Sequence, residues 1–336
     1  MRSRIQVTSG PATSGPVASG MATSGLVTTG PVALAARLVR PLVGFLLAVL
    51  TALPAGAQEG LAIASLAKSA PPTPAWERLD GRNLRLQSAA VMVVDTAGNP
   101  IYAKREDEPK PIASVTKLMT AMVVLDAGVD LDTQITIRPE DKDLLRNSRS
   151  RLQINRATLS RRELLRVALM SSDNRAAAAL GRTTFAGGTP EFVARMNRKA
   201  QALGMTNSHF ADASGLDANN RATARDLTKM VGGASGYPLI REATTTREAL
   251  LHPHPGGGAL GYRNTNPLVS SADWDIELSK TGYISDAGRC LVMQALVSGR
   301  RLRIVLLDSP GKLSPMGDSN RLRQWIERSL AQRDAG

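Results

Sequence analysis

The chain has 336 residues, 43% hydrophobic and 21% charged, which suits one large or two ordinary globular domains and excludes wholesale disorder. A single cysteine, Cys290, excludes an internal disulfide framework and cysteine-held zinc or iron–sulfur clusters, and three histidines outside any H-E-x-x-H pattern exclude a zincin-type metal protease. The net charge of +13 comes from scattered arginines with only eleven aromatic residues, too few for base-stacking platforms; it reads as a solvated basic surface, or one facing an anionic wall polymer or membrane surface, and not as a nucleic-acid footprint.

Residues 1–57 contain four arginines and no Asp, Glu or Lys. Residues 8–32 are a degenerate Ser/Thr/Gly/Pro repeat that cannot bury enough apolar surface to order itself. Arg37 and Arg40 then precede the apolar run Pro41 to Leu53, which is too short to span a bilayer and ends in Pro54-Ala55-Gly56-Ala57. A positive flank, a short apolar run and small residues predict a secretory signal peptide cleaved near Ala57, with Met21 as an alternative start. Cleavage would leave 279 residues with a charge of +9. No later apolar run reaches about 18 residues, so no transmembrane anchor is expected after cleavage, and the destination is the periplasm.

Residues 58–85, with Pro71, Pro72 and Pro74, read as a linker. Ala89 to Asp95 and Pro100 to Glu106 are β-rich runs around a Gly-Asn turn and predict a hairpin. From Ser114 the spacing of Leu118, Ala121, Met122 and Leu125 is helical, with Gly128 just past the end. A mostly helical lobe is expected over residues 128–250: one helix at Glu163 to Met170, one capped by Thr189 and stopping at Gly204, and one starting near Thr223. Strands return at Asp275 to Gly282, Arg289 to Val297 and Arg301 to Asp308. A helix over Arg321 to Leu330 presents Leu322, Trp325, Ile326 and Leu330 on one face, and residues 333–336 form a tail. Strands from both ends of the chain flanking a helical insertion predict an α/β (α+β) domain over residues 86–332: one antiparallel sheet with helices on its faces, a helical lobe beside it, and a cleft between them.

Ser114-Val115-Thr116-Lys117 places a hydroxyl and an amine one helical turn apart, on one face. A serine is a poor nucleophile until a neighbour takes its proton, and a lysine does so only where burial or nearby cations favour its neutral form. S-x-x-K alone is a weak signal, since Ser65 to Lys68 and Ser309 to Lys312 match it too, but only Ser114 opens a strongly periodic helix. Two further motifs each occur once: Ser172-Asp173-Asn174 between two helices, and Lys280-Thr281-Gly282 at a strand end. As an ordered set, S-x-x-K, S-D-N and K-T-G are the signature of penicillin-binding proteins and class A β-lactamases.

From Leu86 to Leu330 the chain resembles the serine D-Ala-D-Ala peptidases, the low-molecular-mass penicillin-binding proteins. The stretches SSDNRAA, SGLDANN, TARDLTK, TTTRE, RNTNPLV, SKTGYISDAGRCLVM and RLRQWIE are similar to the D-alanyl-D-alanine endopeptidase branch, the penicillin-binding protein 7 type; the long repeat-bearing N-terminus departs from it. The resemblance implies a β-lactamase/transpeptidase-like fold and acyl transfer through an acyl-serine, with water as final acceptor and no cofactor or metal. It makes Ser114 the nucleophile, Lys117 its base and Ser172 a proton relay towards the leaving group. Asn174 would hold the substrate amide, Lys280 and Thr281 its carboxylate, and Gly282 would let the strand lie against it. The N–H groups of Ser114 and Tyr283 would form the oxyanion hole. Peptidoglycan peptides are the implied substrates and β-lactams the implied inhibitors.

The motifs do not separate cutting of cross-links from trimming of terminal D-Ala. The end of the chain soon after the last helix, without a further β domain or amphipathic anchor, leans towards an endopeptidase over a D-Ala-D-Ala carboxypeptidase. A class A-like β-lactamase would need an E-x-x-L-N loop, but Glu191 to Arg195 lacks Leu-Asn and residues 204–220 contain no glutamate. A non-catalytic wall-binding or β-lactam-sensing module would have no need of Ser114, Lys117, Ser172 and Lys280 together. His252-Pro253-His254 reads as a loop, and Cys290 as a buried thiol.

Overall fold

The computed structural model describes residues 79–334; the expected signal peptide and residues 58–78 of the linker, with the Ser65 motif, lie outside the described residues. The predicted hairpin is present as β1 (Ala90–Asp95) and β2 (Pro100–Lys104), turned at Gly98. β1 is apolar at nearly every position because it is covered on both sides: Ala90, Met92 and Val94 enter one core, Val91 and Val93 another. Three long strands from the far end of the chain complete the sheet: β3 (Asp275–Ile284), β4 (Gly288–Val297) and β5 (Arg300–Ser309). The antiparallel order is β2-β1-β5-β4-β3, with Ala90 opposite Leu307, so the first and last strands are central neighbours and β3 is an edge.

A C-terminal helix, Ser314–Asp334, covers one face, and its predicted apolar residues Leu322, Trp325, Ile326 and Leu330 pack with Val91, Met293 and Ile304. It begins earlier than the periodicity suggested. Its Asp318 carboxylate accepts from the Gln87 and Ser88 amides (3.0 and 2.7 Å) and the Ser88 hydroxyl, fixing the entry to β1. Residues 79–85, expected as linker, dock here as well: Leu79 and Leu84 pack on this core and Trp325 Nε1 donates to the Asp80 carbonyl.

The other face carries the lobe. A 3₁₀ turn (Ala113–Thr116) leads into α1 (Lys117–Asp126), buried from Lys117 to Val124. α2 (Arg161–Met170) opens with the reciprocal Ser160–Glu163 capping pair, and α3 (Asn174–Thr183) with Asp173 accepting from the Ala176 amide. α4 (Gly188–Ala202), α5 (Ala224–Ala234, capped by Thr223) and α6 (Pro238–Thr245) follow.

The structure corrects three expectations. Thr189 is not the cap of α4: the helix starts at Gly188, and the Glu191 carboxylate reaches back to the Gly187 amide at 3.1 Å. The Lys280-Thr281-Gly282 motif does not end its strand, since β3 runs on to Ile284 and Gly282 pairs with Cys290. The lobe is less helical than expected across residues 131–160 and 203–223. There Asp143 accepts from the amides of Leu145, Arg146 and Ser148, and Asp212 from those of Ser214, Gly215 and Asp217. Side chains that satisfy backbone donors in this way compete with helix formation.

Candidate active site

The cleft lies where edge strand β3 faces the start of α1 and the loop before α3, a volume of about 440 Å³ whose lining includes Ser114, Ser172, Asn174, Thr281, Gly282 and Tyr283. All three motifs therefore meet, although Ser172 and Lys280 are 108 residues apart.

Lys117 is 1% exposed. Its Nζ lies 2.7 Å from Ser114 Oγ, 2.7 Å from Asn174 Oδ1 and 2.6 Å from the Ser214 carbonyl. Burial drives its pKa down to about 7, against the opposing pull of Asp212 and Asp173. A neutral amine has two N–H donors and one lone pair. Asn174 Oδ1 and the Ser214 carbonyl can only accept, so they take the two donors and the lone pair faces the Ser114 hydroxyl. An amine placed in this way is able to accept a proton from a serine hydroxyl.

Lys280, also 1% exposed, donates from Nζ to Ser172 Oγ and to the Thr281 carbonyl, both at 2.9 Å. Burial first, and the nearby Lys117 charge second, hold it well below the ordinary lysine range. The two motif lysines thus sit in one desolvated site, where the Lys117 charge disfavours charge on Lys280. Ser172 occupies the left-handed region at φ 63°, which is uncommon for serine; the SDN turn is held there by Asp173, whose carboxylate caps α3 and accepts from Ser150 Oγ at 2.7 Å.

Gly282 is needed for space. A Cβ there would lie 2.8 Å from the Ile112 carbonyl oxygen and 3.1 Å from the Ser114 amide nitrogen, so only a bare backbone lets β3 approach the serine turn this closely. Tyr283 is 54% exposed at the mouth, with the Arg289 guanidinium 3.7 Å from its ring centroid. Cys290 sits opposite Gly282 on the neighbouring strand, with its thiol pushed up to about 12 by burial, too high for a nucleophile. His252-Pro253-His254 is a strap: the Pro253 carbonyl accepts from the Thr158 amide and His254 Nε2 from that of Gln153.

Sequence reasoning did not single out four supports. Ser214 supplies the carbonyl to Lys117, Ser148 accepts from Asn174 Nδ2 at 2.9 Å, Ser150 braces Asp173, and Thr265 Oγ1 lies 2.6 Å from Thr281 Oγ1. Ser214 and Thr265 fall inside the family-like stretches SGLDANN and RNTNPLV; Ser148 and Ser150 carry no motif signal.

A family model described as D-alanyl-D-alanine carboxypeptidase matches residues 79–311. The chain belongs to that family. Among its relatives, a D-alanyl-D-alanine endopeptidase of Pseudomonas aeruginosa is 41% identical over 271 residues, covering 80% of this chain and 85% of the relative. A D-alanyl-D-alanine endopeptidase of Escherichia coli is 42% identical over 243 residues, covering 72% and 78%. The crystal structure of the Streptomyces K15 DD-transpeptidase, 26% identical, superposes with a TM-score of 0.67 over 74% of this chain and 98% of that one. The expected transpeptidase-like architecture is thus the observed one.

Proposed function

We propose that the protein is a serine D-Ala-D-Ala endopeptidase that hydrolyses peptide cross-links of peptidoglycan. The observation that carries the chemistry is the buried Lys117 amine 2.7 Å from Ser114 Oγ; the two endopeptidases at 41% and 42% identity support the specificity. Ser114 attacks the carbonyl of the penultimate D-Ala while Lys117 takes its proton. The N–H groups of Ser114 and Tyr283 stabilise the oxyanion, each donor worth about 10²- to 10³-fold in rate. Ser172, held by Lys280, relays the proton taken up by Lys117 to the leaving amine, which departs neutral. Asn174 holds the substrate amide, and Lys280 with Thr281 its carboxylate. Water then releases the acyl group. The apolar run before Ala57 would deliver the enzyme to the periplasm, and β-lactams would acylate Ser114 as substrate mimics.

The specificity test offers cross-linked muropeptide dimers and monomeric pentapeptides side by side, with products identified by mass. Dimers are expected to be cut faster. Loss of D-Ala from the monomer with the dimer intact would identify a carboxypeptidase instead.

The lysine pKa sets the pH dependence. A base whose pKa is lowered to about 7 is ammonium, without a lone pair, below that pH and neutral above it. The second-order rate of penicillin acylation should therefore rise roughly tenfold per pH unit up to about 7 and level off beyond. A rate that is flat across this range, followed with a fluorescent penicillin, would contradict Lys117 as the base.

A further inference from the structure

A second and larger cavity, about 690 Å³, opens away from the catalytic cleft and shares no lining residue with it. It lies where α6 and the end of α5 meet the early part of β3 and the facing parts of β4 and β5, and its walls are polar. Three arginines line it, Arg241, Arg301 and Arg303, with two carboxylates, Glu242 and Glu277.

Both carboxylates are already engaged. Glu277 holds Arg301 at 2.5 and 2.6 Å and accepts from Gln294 Nε2 at 2.9 Å, while Glu242 pairs with Arg166, outside the cavity, at 2.5 Å. That leaves Arg241 and Arg303. Arg241 donates one Nη1 bond to the Ser235 carbonyl, and Arg303 makes one long Nε contact, 3.5 Å, with Gln294 Oε1. Among the described residues, neither has a carboxylate within ion-pairing distance. Asp95, which also holds Asn99, acts electrostatically on Arg303, and Glu277 on Arg241.

Arg303 is half-buried, and burial disfavours its charge. It is also held in place: a Cβ at Gly232 would lie 2.7 Å from its Cζ, so the guanidinium rests directly on the backbone of α5. An ordered, partly desolvated guanidinium with unused donors is costly unless something completes its hydrogen bonding. Its planar fork fits the oxygens of a carboxylate or phosphate, and Thr96 adds a hydroxyl to the same walls, whereas those of Ser235 and Thr245 already donate to the Gly232 and Arg241 carbonyls.

We propose that this cavity is an oxyanion-binding exosite in which Arg241 and Arg303 together grip a carboxylate or phosphate group. It does not depend on the catalytic reading. It would give the enzyme a second hold on an anionic wall fragment, in a cavity whose β3 wall, at Glu277, lies three residues before Lys280.

The test is calorimetric titration of the full chain at constant ionic strength, once with inorganic phosphate and once with a wall stem tetrapeptide bearing free carboxylates. Saturable binding is expected, weakened at least about tenfold in Arg241→Gln/Arg303→Gln and unchanged in Arg263→Gln, a surface arginine outside the cavity. Binding of phosphate alone assigns the site to a free mineral anion; tighter binding of the peptide assigns it to wall carboxylates. No saturable binding of either probe, or equal binding by wild type and double variant, overturns the proposal. A thermal unfolding transition near that of the wild type shows that the double variant is folded. Should it not fold, Arg303→Lys keeps the charge but loses the fork, and an unchanged affinity there is equally decisive against the site.

Discussion

Replacing Ser114 by alanine is expected to abolish covalent labelling by a fluorescent penicillin while leaving the thermal unfolding transition near its wild-type position. The substitution removes one hydroxyl whose hydrogen-bond partner, Lys117, keeps two others, so the fold loses about 1 kcal/mol at most. Ser309→Ala is the matched control. Ser309 also belongs to an S-x-x-K, but it ends β5 fully buried, with its Oγ 2.7 Å from Ser88 Oγ. Its loss should cost a similar amount of stability and no labelling. Labelling that survives in Ser114→Ala would remove the assigned nucleophile. In the wild type the label should also persist. Among the described residues lining the cleft there is no carboxylate of the kind that activates the deacylating water in class A β-lactamases, so release of a penicilloyl group is slow. Rapid loss of penicillin absorbance would place the protein with the β-lactamases.

The second large effect is expected at a residue that touches no substrate. Gly215 has φ +84°, and a Cβ on it would sit 1.9 Å from the Ala113 carbonyl oxygen and 2.4 Å from its carbon. No rotamer relieves a backbone collision, so Gly215→Ala must displace either the turn carrying Ser114 or the strand of chain carrying Ser214, whose carbonyl anchors Lys117. The variant should lose about 3 kcal/mol or more in urea unfolding, strain and steric displacement together, and its acylation rate should drop about 100-fold. Gly98→Ala separates the two causes. Its φ is +91°, with nothing within 4 Å of the added methyl, so it carries backbone strain alone, about 1–2 kcal/mol, with labelling unaffected. If Gly215→Ala behaves like Gly98→Ala, the contact between these two loops is not what aligns serine and lysine.

The contrast between Ser114 and Gly215 shows which parts of the site were legible in the sequence. Ser114 and Lys117 were readable because they open a helix with a clear apolar period, and the strands of the sheet because their apolar runs are bounded by turn residues. Two other motifs could be placed on elements but not in depth. Nothing in Lys280-Thr281-Gly282 says that the lysine is buried against Ser172, since that follows from an edge strand meeting a loop 108 residues earlier. The supports at Ser148, Ser150, Ser214 and Thr265 lie in irregular segments. Their paths are set by Asp143, Asp212 and Asn264 bonding nearby backbone amides. Such local bonds impose no periodicity, and which residue ends up facing the lysine is decided only when the segment is docked.

The pairing of β1 with β5, Ala90 opposite Leu307, also bears on how the molecule is made. A chain synthesised from its N-terminus has its first hairpin ready long before the partner strand exists, so the centre of the sheet cannot close until more than 200 further residues have appeared. Until then β1, apolar on both faces, has β2 on one side only and an unpaired edge on the other. Contacts this distant in sequence slow folding, because loop closure comes before any reward from pairing. The helices of the lobe rely on nearer contacts and can form in the interval. The expected vulnerability is therefore temporal: nascent or truncated chains lacking β4 and β5 should aggregate through β1, and Val93→Lys in such a fragment should keep it soluble while the same change in the complete chain unfolds it.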